Sequence, residues 1–255
     1  MKLLIGNTGL IGNTLKDNID FNYEYNSKNL EEFLKLPYEN CDLYLCCLPA
    51  TKWLINKDPL QDFNNMVKIL NILETKKYNN IILYSTIDIY QNELNGSNET
   101  TSPAIPSLNY GSIRLLFENL IKDRFIYNKL TIIRLPALFG KRIKKNVLYD
   151  LLNNNDISNI PWDSKFQWYN LDKLYLDTKE ILNQQTENCR IINLFTEPIE
   201  TSEILQLFGL NKNDVNTSAK GSYYNCQTIY HESGFIDTKQ NILNQIKDFI
   251  KQYKK

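Results

Sequence analysis

Hydrophobic positions along the chain alternate between short continuous apolar runs and stripes spaced three and four residues apart. Residues 2–5 are continuously apolar after Lys2, which predicts a short strand covered on both faces. Leu10, Ile11, Leu15 and Ile19 then share one helical stripe. A second strand is predicted from Phe21 to Asn26. Asn29 with Glu32 three places on reads as a capping box, opening a helix that buries Leu30, Phe33 and Leu34. Leu43 to Leu48 is the next strand. Asp58 and Pro59 supply an N-cap and a first-turn proline for a helix with apolar residues at Phe63, Val67, Leu70 and Leu73. Ile81 to Thr86 reads as strand and Gln91 to Ser107 as a polar loop. Tyr110, Ile113, Arg114, Phe117 and Ile121 fall at helical spacing, and Leu130 to Leu135 is a strand stopped by Pro136.

This alternation predicts an α/β protein with a Rossmann-type doubly wound parallel sheet. After Gly140 the pattern loosens. Helical pieces are predicted at Val147–Leu152 and Leu171–Leu182, a strand at Arg190–Leu194, and a final helix from Thr238 through Ile242, Ile246 and Phe249. The expected organisation is a dinucleotide-binding core over residues 1–140. Residues 141–255 form a mainly substrate-binding lobe, with a returning strand and the final helix completing the core.

Composition narrows the function classes. The chain has 255 residues, 42% hydrophobic and 23% charged, an ordinary globular balance. Its 29 basic and 29 acidic residues cancel, which argues against nucleic acid or an anionic membrane as partner. No early apolar run approaches the ~20 residues of a membrane span, and the first breaks at Gly6, so a cytoplasmic protein is expected. Five cysteines without a C-x-x-C spacing, and His231 as the single histidine, predict reduced thiols and no metal site.

Candidate chemistry begins at Gly6-Asn7-Thr8-Gly9-Leu10-Ile11-Gly12, between the first strand and the first helix. Gly6 permits a tight turn, Gly9 lets backbone approach a pyrophosphate, and Gly12 lets the helix pack closely on the sheet. The helix start adds free N–H groups and a positive dipole end. The turn therefore predicts NAD or NADP. A carboxylate about twenty residues on would grip the adenosine ribose. Here the second strand ends Asn26-Ser27-Lys28, and Glu24 lies too early within it. Ser27 and Lys28 can instead receive a 2′-phosphate, a slight lean to NADP.

Two further segments carry chemistry. Ser85, Thr86 and Asp88 lie at the carboxyl end of a strand, where open α/β sheets place ligands. Tyr110 and Arg114, four apart on a helix, share one face. A phenol is a poor base at its free pKa of ~10, and a neighbouring cation favours its phenolate. Thr86 can hydrogen-bond the same substrate oxygen while hydride passes between a nicotinamide and the carbon bearing it.

With these residues the chain resembles the extended short-chain dehydrogenases/reductases, of the NAD-dependent epimerase/dehydratase type. The resemblance rests on the glycine turn, Asn65, Ser85-Thr86-x-x-Ile89-Tyr90 and Tyr110-x-x-x-Arg114-x-x-x-Glu118. It continues with Arg134-Leu135-Pro136-x-x-Phe139-Gly140 and Tyr169-Asn170-Leu171-Asp172. It implies Tyr110 as acid/base, Thr86 as substrate-positioning group, a nucleotide sugar as substrate, and a homodimer. It also implies cofactor contacts from residues 6–12, Ser27, Lys28, Leu48, Pro49, Ala50, Ser85, Tyr110, Arg114 and Leu135.

Three departures stand out. Arg114 replaces the lysine that binds the nicotinamide ribose and lowers the tyrosine pKa, in the manner of an atypical branch. Between the first helix and Leu43 there is room for one strand and one helix, so a strand of the usual cofactor half is missing. Cys46-Cys47-Leu48-Pro49-Ala50 replaces a small-residue turn.

On the substrate side, Lys141, Arg142, Lys144 and Lys145 can grip a diphosphate, and Trp162, Phe166, Trp168 and Tyr169 can stack on a base or sugar. Of these, Arg142, Lys144 and Trp168, with Asp88, are the substrate candidates. Each has a plainer reading as solvated loop, turn cap or core. The expected function is an NAD(P)-dependent oxidoreductase or epimerase of a nucleotide-sugar hydroxyl or keto group. The alternative is a non-catalytic NAD(P)-binding sensor or scaffold.

Overall fold

The structure, a computed structural model, describes every residue except Leu36, Tyr38, Asn216, Ala219, Lys220, Lys254 and Lys255. Its elements begin with β1 (Lys2–Ile5), α1 (Leu10–Lys16), β2 (Tyr23–Tyr25), β3 (Cys41–Leu45), α2 (Lys52–Lys57) and α3 (Pro59–Leu73). Next come β4 (Lys77–Thr86), α4 (Tyr110–Arg124), β5 (Ile126–Leu135), β6 (Ala137–Phe139), α5 (Val147–Asn153), β7 (Lys165–Phe166) and β8 (Trp168–Asn170). The series ends with α6 (Leu174–Gln184), β9 (Cys189–Asn193), β10 (Ile199–Glu200), α7 (Thr201–Gln206) and α8 (Lys239–Tyr253). The chain forms two compact units. The first comprises Met1–Gln91, Ser102–Arg134 and Lys173–Ile192, and the second Asn92–Thr101, Leu135–Asp172 and Asn193–Lys255.

The first unit is built on a six-stranded sheet in the order β2-β1-β3-β4-β5-β9. β1 runs parallel to both neighbours, with Leu3 opposite Tyr23 on one side and Leu43 on the other. Leu3, Leu4 and Ile5 are all buried, as a strand covered on both faces requires. The core joins Leu43, Leu45, Ile81, Leu83 and Ile132 of the sheet to Leu70 and Leu73 of α3 and Ile113 and Phe117 of α4.

β2 is the sheet edge, so only one strand lies beyond β1 on that side, as the sequence spacing predicts. The helix expected after Asn29 is a 3₁₀ turn, Leu30–Lys35. The Asn29 side chain does not cap it. It turns back to accept from the Asn26 N–H (2.8 Å) and to donate to the Glu24 carbonyl (3.3 Å). Such a local bond competes with helix formation.

α3 starts as expected, with Asp58 accepting from the Gln61 N–H (3.4 Å) and Pro59 in the first turn. Its buried face differs from the predicted one. Asp62, Met66, Ile69, Leu70 and Leu73 face inward, while Phe63 and Val67 are only partly covered. α2 was not predicted, because Ile55 is its only buried residue and no stripe marks it.

In the second unit β6 pairs with β8, and β7 with β10. α8 buries Ile242, Leu243, Ile246 and Ile250 in a cluster with Phe139, Leu148, Trp168, Ile199 and Ile204. The final helix is part of this unit's own core, and β9 lies beside β5 at the edge of the six-stranded sheet. Strands of two or three residues are too short to display a period of two, and none of β6, β7, β8 or β10 was predicted. Among the described residues no helix is long and apolar enough to cross a membrane, and no His/Cys/Asp/Glu group could hold a metal ion. All five cysteines are free thiols.

Candidate active site

The glycine turn is a backbone cradle with no room for a side chain at its first and third glycines. Gly6 leaves β1 at φ +95°, and a Cβ there would lie 2.2 Å from the Cys46 carbonyl oxygen. A Cβ at Gly12 would lie 2.3 Å from the Gly6 oxygen, whereas one at Gly9 would approach it only to 3.3 Å. The first and third glycines are thus fixed by the protein's own packing, and the second is the least constrained by it. Thr8, Leu10 and Ile11 complete the turn and enter α1. The Asn7 amide donates to Glu24 Oε2 (3.1 Å) and accepts from Asn26 Nδ2 (3.1 Å). Glu24 does reach this turn from inside β2, where it also pairs with Lys16 (3.1 Å). Ser27 and Lys28 stand exposed just beyond, as do Pro49 and Ala50 after β3, with Leu48 half-buried.

α4 carries Tyr110 in its first turn. Asn109 caps it reciprocally: Oδ1 accepts from the Ser112 N–H (3.0 Å), and the Asn109 N–H donates to Ser112 Oγ (2.8 Å). A Cβ on Gly111 would lie 2.0 Å from the Asp88 carbonyl oxygen. That contact presses the helix start onto the 3₁₀ turn Ile87–Tyr90 at the end of β4. Tyr110 thereby hydrogen-bonds the Thr86 side chain. Its backbone N–H donates to Asn56 Oδ1 of α2 (2.9 Å).

Arg114, one turn on, sits over the Tyr110 ring with Cζ 4.5 Å from the centroid, and the two side chains also hydrogen-bond. Its Nη1 donates to Asp62 Oδ2 (2.6 Å) and its Nη2 to the Pro49 carbonyl. Burial pushes the Tyr110 phenol above its ordinary value. The Arg114 charge and the bonds from Thr86 and Arg114 oppose that rise, and Asp88 adds to it. The cation is where the sequence reading puts it, but burial outweighs it. The phenol is neutral at pH 7.

Asp88 faces Lys52 of α2 (2.6 Å), and its N–H donates to Thr86 Oγ1 (3.2 Å). Ser85 is turned away from this group. Its hydroxyl donates to Glu118, whose carboxylate also takes Arg134 Nη2 (2.6 Å) and Nε (3.2 Å). Arg134 Nη1 in turn donates to the Tyr90 hydroxyl (2.5 Å). The Ser85-Thr86 pair is thus split between a buried ionic network and the Tyr110 cluster. Replacing Glu118 with Ala leaves the Arg134 charge buried and unpaired, with an expected loss of about 3–5 kcal/mol in denaturant unfolding.

Asp62 and Lys52 were missed by sequence reasoning. Asp62 did leave a signal, a carboxylate on the buried stripe 62, 66, 69, 70, 73. Lys52 left none.

The remaining candidates belong to the second unit. Leu135 is buried, and Arg142 (φ +69°) and Lys144 are exposed on the turn before α5. Trp168 is only 1% exposed, in van der Waals contact with that unit's core, and its ring lies 6.2 Å from Phe166. It is a core residue and has no free face for a sugar, contrary to the sequence expectation.

No protein-family model and no curated protein matches the sequence. Solved structures do match over essentially the whole length. The dTDP-4-dehydrorhamnose reductase from Yersinia enterocolitica gives a TM-score of 0.73 at 13% identity, covering 98% of this chain and 99% of that one. MoeE5 in complex with UDP-glucose and NAD gives 0.71 at 11% identity, covering 100% and 99%. The UDP-glucose 4-epimerase from Thermus thermophilus in complex with NAD gives 0.68 at 12%, again covering 100% and 99%. The chain has the fold of the extended short-chain dehydrogenases/reductases. Within that fold the sheet of this chain ends at β2, and Arg114 occupies the helix position one turn after Tyr110.

Proposed function

We propose that this protein is an NAD(P)-dependent oxidoreductase or epimerase acting on a hydroxyl or keto group of a nucleotide-linked sugar. The observation that carries the reading is the buried cluster of Tyr110, Thr86 and Arg114 at the carboxyl end of β4. It lies in a unit that opens with a cradle a Cβ would fill. Similarity to reductases and epimerases, some solved with UDP-glucose or NAD, supports the ligand class.

The cradle fits a pyrophosphate, with Gly6 to Gly12 and Leu48 to Ala50 as the residues that would hold the dinucleotide. Bound there, the dinucleotide supplies the hydride donor or acceptor. Glu24 is engaged by Asn7 and Lys16, and the exposed groups at the end of β2 are Ser27 and Lys28. That arrangement favours a 2′-phosphate, hence NADP over NAD.

Tyr110, protonated at neutral pH, is set up as the acid. It donates its proton to a substrate carbonyl oxygen during reduction and takes one back from the hydroxyl in the reverse direction. Thr86 hydrogen-bonds the same oxygen. The Arg114 charge stabilises the phenolate that forms but, always protonated, does not relay the proton. Arg142 and Lys144 remain proposed contacts to the substrate diphosphate.

A second reading, a non-catalytic dinucleotide-binding sensor or scaffold, is favoured by one observation. The Arg114 fork is already occupied by Asp62 and Pro49. Mass analysis of ligands released from the purified protein tests the shared premise. NADP or NAD is expected. Release of neither, with no thermal stabilisation by either, overturns both readings.

A further inference from the structure

The ion pair between Arg114 and Asp62 is nearly inaccessible, with side-chain exposures of 7% and 4%. As a stability device it is poor. The second carboxylate oxygen, Asp62 Oδ1, is buried and has no hydrogen-bond partner among the described residues. A buried pair of this kind is on average no better than apolar side chains of the same volume. Its geometry, however, is specific. One N–H of the fork goes to Asp62 from α3, another to the Pro49 carbonyl after β3, and the guanidinium lies over Tyr110 of α4 while hydrogen-bonding it. A lysine, with one compact ammonium on a flexible stem, does not span three such partners in a fixed plane.

We propose that Asp62 is a positioning residue: with the Pro49 carbonyl it holds the Arg114 guanidinium over Tyr110, so that the arginine serves the phenol rather than a bound ribose. This rests on Tyr110 being the acid/base. The charged groups around the phenol are Arg114 of its own helix, Asp88 of the 3₁₀ turn, Asp62 of α3 behind Arg114, and Lys52 of α2 behind Asp88. The Cys47 thiol lies within reach of the Arg114 charge. Asp62 therefore has two effects on the phenol. It fixes the cation and it cancels part of the cation's charge.

The test is a pH titration of Tyr110 by NMR in full-length protein carrying ¹³C-labelled tyrosine, with Tyr110→Phe identifying the resonance. In Asp62→Asn the guanidinium loses its counter-charge, and the Tyr110 midpoint is expected to fall by about one pH unit or more. Asp62→Ala removes the same charge and also the acceptor that holds the fork, so its Tyr110 midpoint is expected to stay above that of Asp62→Asn; equal midpoints in the two variants, the mark of a charge effect without positioning, would overturn the proposal. Should Asp62→Asn not fold, the wild-type Arg114 guanidinium decides. Separate ¹⁵Nη resonances at 25 °C are expected from a held fork, and one averaged signal contradicts it. Neither readout needs turnover, so failure here is distinct from failure of the proposed activity.

Discussion

Tyr110→Phe is expected to lower turnover by about 10²–10⁴-fold, the usual contribution of a positioned acid or base, and to leave dinucleotide affinity nearly unchanged. The split follows from what the substitution removes. The ring stays, and with it the packing under Arg114 at 4.5 Å. Only the hydroxyl goes, and with it the one group in the cluster acidic enough to give up a proton to the substrate. Thr86 lacks the acidity to take over, and Arg114 is held to Asp62 and Pro49. Removing the acid therefore acts on kcat. Steady-state rates with a nucleotide sugar, beside dinucleotide titration by calorimetry, separate the two effects. Full activity in the variant would assign the proton to another residue.

Gly12→Ala is expected to abolish dinucleotide binding and to destabilise the protein. Two effects compete. Within a helix alanine is preferred to glycine by about 1 kcal/mol. The new Cβ, however, would lie 2.3 Å from the Gly6 backbone oxygen and 3.0 Å from its carbonyl carbon. Forcing a methyl into such a contact costs about 1–3 kcal/mol, so the clash wins. Relief requires the turn to open, and the turn is the cradle. Gly9→Ala is the internal control. Its Cβ meets the same oxygen only at 3.3 Å, so stability is expected to change much less, and any loss of affinity there reports ligand approach itself. Thermal unfolding with and without NADP measures both arms for each variant.

Much of this site was legible in the sequence because it lies where local rules act. A glycine is the only residue whose absence of a side chain can be read directly, and Gly6 and Gly12 are required by contacts within about forty residues of themselves. Tyr110 and Arg114 meet through the i, i+4 geometry of a single helix. What stayed hidden depends on contacts between elements. Which way Ser85 turns is decided by a carboxylate 33 residues away on α4. The direction of the Tyr110 shift is set by burial, a property of the folded unit that a nearby arginine in the sequence does not reveal. Trp168 looked available because its neighbours are aromatic, and the apolar cluster that buries it is assembled from β6, β10, α5, α7 and α8. Asp62 left its signal on the stripe 62, 66, 69, 70, 73, which the sequence reading passed over for one through Phe63 and Val67.

The measurement that bears most directly on the account is deuterium transfer from NADPH or NADH labelled at the nicotinamide C4 to a panel of nucleotide-linked keto sugars, followed by mass spectrometry. The wild-type protein is expected to place deuterium in at least one sugar, from one face of the nicotinamide, and Tyr110→Phe to place none above background. A protein that binds the dinucleotide yet leaves deuterium on the nicotinamide with every keto sugar would contradict the account and leave the sensor reading in its place.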